Sequence, residues 1–272
     1  MAHWVALASA LKPIVSGCSL AIGGMTLYRR PVAAALAIAR SKVRDLEVVT
    51  FTAGLETDLL VGAGCVRRLR SCYAGLEIVG LAPHFTAAAR QGTLEVIEET
   101  EYTLTYAVLA GTMRVPFLPM LDTLSGTDLY RNRPDLHRFD CPVSGKPLMA
   151  VPAVRVDVAL LHAAAADEEG NCWLSGQLAL DPYLPTVART TVVTVERRVT
   201  KEELLSYQGG LRLPAHSVDA LALVPGGSLP TSCYPHQALD LDGMLDYVDA
   251  AEDPQAWPLW LESSMENVAE PC

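Results

Sequence analysis

The stretch Ser19-Leu20-Ala21-Ile22-Gly23-Gly24-Met25-Thr26-Leu27-Tyr28-Arg29-Arg30-Pro31 gathers the residues of this chain best suited to chemistry. Two successive glycines let the backbone approach a ligand or another chain closely, and the N–H groups at a helix start attract anions. Tyr28-Arg29-Arg30 is a candidate place for an anion, against the plainer alternative of a solvated basic turn. Glu98, Glu99 and Glu101 form a second cluster, which reads as an acidic helix start that complements the helix dipole. Other candidates are weaker. The six histidines are scattered with no His-x-x-x-His or His-Glu pairing, so no metal site is expected. His162 reads as a hydrogen-bonded core residue at a strand end. Ser228 and Ser232 lie in a Gly/Pro loop without a Gly-x-Ser-x-Gly elbow, and Cys233 has no adjacent base. Gly62-Ala63-Gly64 follows a helix-like run and is too short for a dinucleotide fingerprint.

The elements that must position these residues alternate. The apolar run up to Ile22 predicts a buried strand, the glycine pair a tight turn, and Pro31 to Arg40 a helix with proline in its first turn. Strands are expected at Leu46–Phe51, Val66–Tyr73, Leu94–Glu98, Val156–His162, Thr190–Val195 and Leu221–Val224. Arg67, Arg68 and Arg70 need partners if their strand is buried. Helices are expected at Thr57–Gly64, at Phe85–Gly92 with a glycine stop, and at Tyr102–Met113. Asp167–Asn171 reads as a turn. Strands alternating with helices imply an α/β fold with a mostly parallel sheet covered on both faces. The polar stretch Ser125–Lys146 is too long for an ordinary connection and reads as a functional or interface loop. The tail 250–272 carries Trp257 and Trp260, which suggests docking. No internal repeat of 20–50 residues is visible.

Composition narrows the classes. A chain of 272 residues, half of them apolar, can bury a full core. Its net charge of -10 argues against nucleic acid, which needs clustered cations. No apolar run reaches membrane-spanning length. The seven cysteines are widely spaced without a CxxC pair, which fits reduced thiols better than a disulfide scaffold or zinc ribbon. Val15-Ser16-Gly17-Cys18 is similar to a lipoprotein cleavage site, but no basic residue precedes the apolar start and Lys12-Pro13 interrupts it. A cytoplasmic location is expected.

Four blocks in order carry a family resemblance over roughly residues 10–240. They are Gly23 to Pro31 with Val43-Arg44-Asp45-Leu46-Glu47-Val48-Val49; Val115-Pro116-Phe117-Leu118-Pro119 with Ser125-Gly126-Thr127-Asp128; Val151-Pro152 through Asp157 to His162; and Val224 to Tyr234. Together they resemble the α subunits of family I CoA-transferases, with closest similarity to the glutaconate CoA-transferase group. The resemblance implies one open α/β domain of the CoA-transferase/NagB-like kind over 1–272, paired with a homologous β subunit. It implies an active site at the interface of the two chains, acyl-CoA and carboxylate substrates, and no cofactor beyond the CoA thioester that is itself a substrate. In this family the nucleophile is a β-chain glutamate in a Ser-Glu-Asn-Gly motif. This chain contains no Glu-Asn-Gly; its Glu266-Asn267 is followed by Val268.

The resemblance further implies that this chain lines the acyl pocket through Gly23, Gly24, Thr26, Tyr28, Arg29 and Arg30. Arg29 or Arg30 would hold a substrate carboxylate bidentately. Gly23-Gly24 would either donate N–H groups to a tetrahedral oxyanion or serve as a tight turn. The chain is also similar to α subunits of heteromeric steroid ring-opening hydrolases of the same superfamily, which carry a catalytic glutamate just before the helix leading to Pro-Phe-Leu-Pro. Counting back from Pro116, Glu101 falls at the matching position, with Glu98 one turn earlier.

Overall fold

The computed structural model describes residues 3–264. Its spine is an eight-stranded sheet in which every neighbouring pair is parallel. The order across it is His3–Trp4, Ala220–Leu223, Ala188–Val195, Val156–Ala163, Ser19–Ile22, Leu46–Thr50, Val66–Ser71 and Glu95–Glu98. Chain order runs outward from Ser19–Ile22 to one edge, then resumes on its other side with Val156–Ala163. The order of strand addition therefore reverses between these two central strands, whose parallel register pairs Ala21 with Ala159 and Ile22 with Leu160. A crevice opens beyond the carboxyl ends of strands at such a reversal.

Alternation of side chains along each strand builds two core layers. Leu20, Ile22, Val48, Leu69, Val158 and Leu160 face one layer, covered by the helices Val32–Arg40, Leu55–Gly62 and Leu241–Glu252. Ala21, Val49, Ala159, Leu161 and Val193 face the other, covered by the helix Glu101–Thr112 and a small antiparallel sheet. Burial on both faces explains why these strands read as near-continuous apolar runs. The helix after Ile22 spans Val32–Arg40, and Gly92 ends the helix Pro83–Gln91 in the left-handed conformation, as the glycine stop predicts. The helix expected from Thr57 begins earlier, at Leu55, because Gly54 supplies its extended first cap.

Arg68 and Arg70 find their partners across the sheet edge, at 2.8 Å from Glu95 and 2.5 Å from Glu99, while Arg67 pairs with Glu47. The stretch 125–146 is more ordered than a loop. It holds the short helix Asp128–Arg131 and the strand His137–Asp140, which pairs antiparallel with Pro147–Pro152. That strand pairs in turn with Phe117–Leu121. Arg133 ties the stretch down through Asp135, at 2.7 and 2.8 Å, and Glu99 at 2.9 Å.

At the other end, the helix Ala256–Ser263 docks through Trp257 and Trp260, stacked at 5.6 Å, onto buried Tyr247. The Tyr247 hydroxyl donates to Asp58 at 2.7 Å, which links this helix to the core. The rest of the expected docking tail, with Glu266-Asn267-Val268, lies outside the described residues. No described helix is long and apolar enough to cross a membrane.

One glycine gives a sharp test of the packing. A Cβ at Gly111, near the end of the helix Glu101–Thr112, would lie 2.1 Å from the Val154 carbonyl oxygen and 2.9 Å from Val187. Alanine normally favours a helix interior by about 1 kcal/mol. Here Gly111→Ala is expected to lower stability by about 1–3 kcal/mol instead, measured by urea unfolding.

Candidate functional site

The loop Gly23–Arg30 leaves the strand Ser19–Ile22 at the point where the sheet reverses. Its conformation is over-determined. A Cβ at Gly23 would meet Leu161 at 2.3 Å and Asp181 at 2.7 Å. Gly24 has φ +86°, and a Cβ there would meet the Arg29 carbonyl oxygen at 2.6 Å. Met25 and Tyr28 exchange backbone hydrogen bonds of 3.0 and 2.8 Å. Thr26 and Arg29 also sit at positive φ, 49° and 53°, which costs energy for a side chain of either kind. The Thr26 N–H donates to the Thr52 hydroxyl at 2.8 Å, holding the strained turn against the next loop.

The two arginines supply most of the anchoring. Arg29 is fully buried; its Nη1 lies 2.7 Å from Asp181 and 3.2 Å from the His162 carbonyl. Its Nε and Nη2 donate to the carbonyls of Ser175 and Gln177 at 2.8 and 2.7 Å. Arg30 is equally buried and forks onto Glu56, with Nε 2.6 Å from one carboxylate oxygen and Nη2 on the other. Both guanidinium groups are thus committed to carboxylates of this chain. A substrate carboxylate would have to compete with these pairs for Arg29 or Arg30, whose one buried donor without a partner among the described residues is Arg30 Nη1.

The glycine pair is engaged in the same way. The Gly23 N–H donates to the Leu160 carbonyl at 2.9 Å, and the Gly24 N–H to Asp181 at 2.9 Å. Both N–H groups are engaged within this chain, as in a tight turn. Thr26 and Tyr28 are half-buried at the open side of the loop. The Tyr28 ring stacks on exposed Tyr234 at 6.0 Å, and its hydroxyl lies 3.3 Å from that of Ser175.

Beneath the loop lies a second polar network. His162 bonds Thr194 through Nδ1 and Glu196 through Nε2, both at 2.8 Å. Glu196 also accepts from the N–H groups of Gly226 and Ser228 and from the Ser228 hydroxyl. Burial would raise the Glu196 carboxyl, but the bonds from His162, Gly226 and Ser228 outweigh it and hold it below the usual range. Burial pushes the nearby Cys233 thiol up to about 12. His162, Glu196 and Cys233 bring potential ligand atoms within 4.8 Å of one another. The imidazole and carboxylate are engaged in hydrogen bonds with Thr194, Gly226 and Ser228 and with each other. Ser232 likewise donates to the Leu27 carbonyl at 3.0 Å.

The acidic cluster separates into different roles. Glu99 is buried, ion-paired with Arg70 and Arg133, and bonded to Thr103. Glu98 is exposed at the end of its strand. Glu101 is exposed at the first position of the helix Glu101–Thr112, behind a reciprocal Thr100–Thr103 cap. It makes no hydrogen bond or ion pair among the described residues. Its charge reaches Cys72: burial first, then the Glu101 and Glu99 charges, push that thiol up to about 11. Cys72 follows the strand Val66–Ser71 and donates to the Phe51 carbonyl at 2.6 Å. Glu101 therefore stands at the carboxyl ends of the strands, on the same end of the sheet as the Gly23–Arg30 loop.

Sequence reasoning missed Asp181, Glu56 and Glu196, the acids that hold this end together. The available signal was Glu56 and Asp58 inside the apolar run Leu55–Val61, since buried acids require partners.

A model of the Coenzyme A transferase family matches residues 5–219. The chain belongs to this family. It is 32% identical over 266 residues to the A subunit of 3-oxoadipate CoA-transferase from Pseudomonas knackmussii, covering 96% of this chain and 93% of that one. It is 33% identical over 266 residues to the cholesterol ring-cleaving hydrolase IpdA subunit of Rhodococcus jostii, covering 93% and 88%. Among solved structures, glutaconate coenzyme A-transferase from Acidaminococcus fermentans superposes with a TM-score of 0.87 at 27% identity, covering 95% and 87%. A variant of the decarboxylase AibA/AibB superposes with a TM-score of 0.88 at 32% identity, covering 97% and 98%. The fold class and the family resemblance read from the sequence both hold.

The buried pairs carry a quantitative expectation. Glu56→Gln and Asp181→Asn each leave a buried guanidinium uncompensated and are expected to lower unfolding free energy by about 3–5 kcal/mol. Removing a carboxylate beside a solvent-facing, substrate-binding arginine would change it by no more than about 0.5 kcal/mol. Urea denaturation of the full chain distinguishes the two.

Proposed function

We propose that this chain is the α subunit of a heteromeric CoA-transferase that moves CoA between an acyl-CoA thioester and a carboxylic acid. Its partner in this reading is a homologous β subunit that supplies the glutamate of a Ser-Glu-Asn-Gly motif. The observation that carries the reading is the state of the acids around the reversal point. Asp181, Glu56 and Glu196 are all buried and hydrogen-bonded within this chain. None of them is open to a thioester, and the sequence has no Glu-Asn-Gly of its own.

In the proposed mechanism the partner carboxylate attacks the donor thioester carbonyl and expels CoA thiolate, leaving an acyl–glutamyl anhydride. The thiolate then attacks the glutamyl carbonyl, releasing the donor acid and leaving a glutamyl–CoA thioester. The acceptor carboxylate attacks that thioester, and the same two steps run in reverse. Both covalent intermediates hydrolyse if water enters, so a rigid cover is part of the chemistry. The Gly23–Arg30 loop, with Thr26 and Tyr28 on its open side, would be that cover and would line the acyl group. The substrate carboxylate would be held by groups other than Arg29 and Arg30. No cofactor beyond the CoA substrate enters this scheme, and the assembly would work in the cytoplasm.

A second reading is favoured by the carboxylate of Glu101, which is exposed and unpaired among the described residues. There the chain would be the α subunit of a CoA-thioester ring-opening hydrolase, with Glu101 as a general base on water or carbon. A non-catalytic acyl-CoA-binding subunit is the remaining alternative, and it requires a partner without the nucleophile.

Co-purification with the β-like chain, incubation with acyl-CoA and borohydride reduction separates these readings by mass spectrometry. A CoA adduct or a reduced carboxyl on the partner glutamate is expected. CoA release with no adduct and no need for an acceptor would overturn the transferase reading. In the transferase Glu101→Gln is expected to lower kcat by less than about tenfold; in the hydrolase it would cost about 10²–10⁴-fold.

A further inference from the structure

At the opposite ends of the same central strands lies a cavity of about 470 Å³. It is framed by the first residues of three parallel strands, Ser19, Val156 and Ala188, and by the end of the helix Glu101–Thr112. Arg114, Arg155 and Arg189 all line it. Most arginines of this acidic chain are matched to carboxylates or carbonyls. Arg114 and Arg155 are exposed, and their side chains make no hydrogen bond or ion pair among the described residues. Arg189 has a side chain 85% exposed and reaches Asp157 only at 3.7 Å.

Asp157 is the one carboxylate in the lining. Its Oδ2 accepts from the Ser19 N–H and hydroxyl at 3.0 and 2.7 Å, which ties the two central strands together. Those bonds hold the Asp157 carboxyl below the usual range, so it stays charged and offsets one arginine. Two positive charges remain in excess around the cavity. Val156, Val187 and Ala188 supply an apolar wall, and the Thr186 hydroxyl is bonded to the Tyr183 carbonyl and the Thr112 hydroxyl.

We propose that this cavity binds a small diphosphate-bearing anion. Guanidinium groups pair with phosphate oxygens through two parallel N–H donors, and three of them can address two adjacent phosphoryl groups. The volume lies within the range of about 300–1,000 Å³ usual for small-molecule sites, which leaves room for an organic group beside the apolar wall.

The test is isothermal titration of the full-length chain with inorganic pyrophosphate and, separately, with ADP, at a fixed ionic strength of about 0.15 M to screen loose surface attraction. Saturable binding of one equivalent is expected, weakened roughly tenfold or more in the Arg114→Gln/Arg155→Gln double variant. Tighter binding of ADP than of pyrophosphate would assign the apolar wall to an organic group. Equal affinities would assign recognition to the diphosphate alone. Arg90→Gln, on a different face of the fold, serves as the control and should leave binding unchanged. No saturable binding, or binding that survives the double substitution, would overturn the proposal.

Discussion

Two adjacent guanidinium groups buried under one loop are the constraint on which the rest of this site depends. A buried charge must be paired and hydrogen-bonded or the fold does not tolerate it. Arg29 and Arg30 point to opposite sides of the sheet reversal and recruit Asp181 and Glu56. Asp181 in turn holds the Gly24 N–H, and the chain can turn there only because glycine occupies 23 and 24. The positive φ angles of Thr26 and Arg29 are maintained by the same contacts. Sequence, strain and ion pairing thus specify one loop conformation rather than a mobile flap.

This architecture divides labour within the family. Chains similar to this one are named as parts of transferases, a ring-cleaving hydrolase and a decarboxylase, over nearly the full chain length. A scaffold that fixes its own acids in buried pairs can leave the reacting group to another position or another chain. On this chain Glu101 and Tyr234 are exposed and Thr26 and Tyr28 half-buried at one end of the sheet, while the buried pairs hold the frame.

Much of the fold was legible because burial on both faces writes long apolar runs, and turns write glycines. Strands such as Leu46–Thr50 and Val156–Ala163, and the glycine stop at Gly92, follow from those signals. The strand inside 125–146 was not, because His137–Asp140 is polar and its pairing with Pro147–Pro152 cannot be read from its own residues. The buried pairing of the arginines was not legible for a related reason. A sequence shows that Arg29 and Arg30 are charged, but their counter-ions lie 152 and 26 residues away in the chain. Without those partners in view, a structural arginine and a substrate arginine look alike. Glu99 and Glu101 present the same ambiguity two residues apart, and only burial separates them.

Hydrogen–deuterium exchange of the full chain across residues 23–30, in the parent and in Asp181→Asn, tests the central claim most directly. The account predicts that the amides of Gly24 and Arg29 exchange slowly, close to those of the strand Ser19–Ile22. In Asp181→Asn the loop amides should exchange faster while the strand stays protected. Rapid exchange of the loop in the parent, or no change on substitution, would contradict the view that buried arginine pairs fix this site.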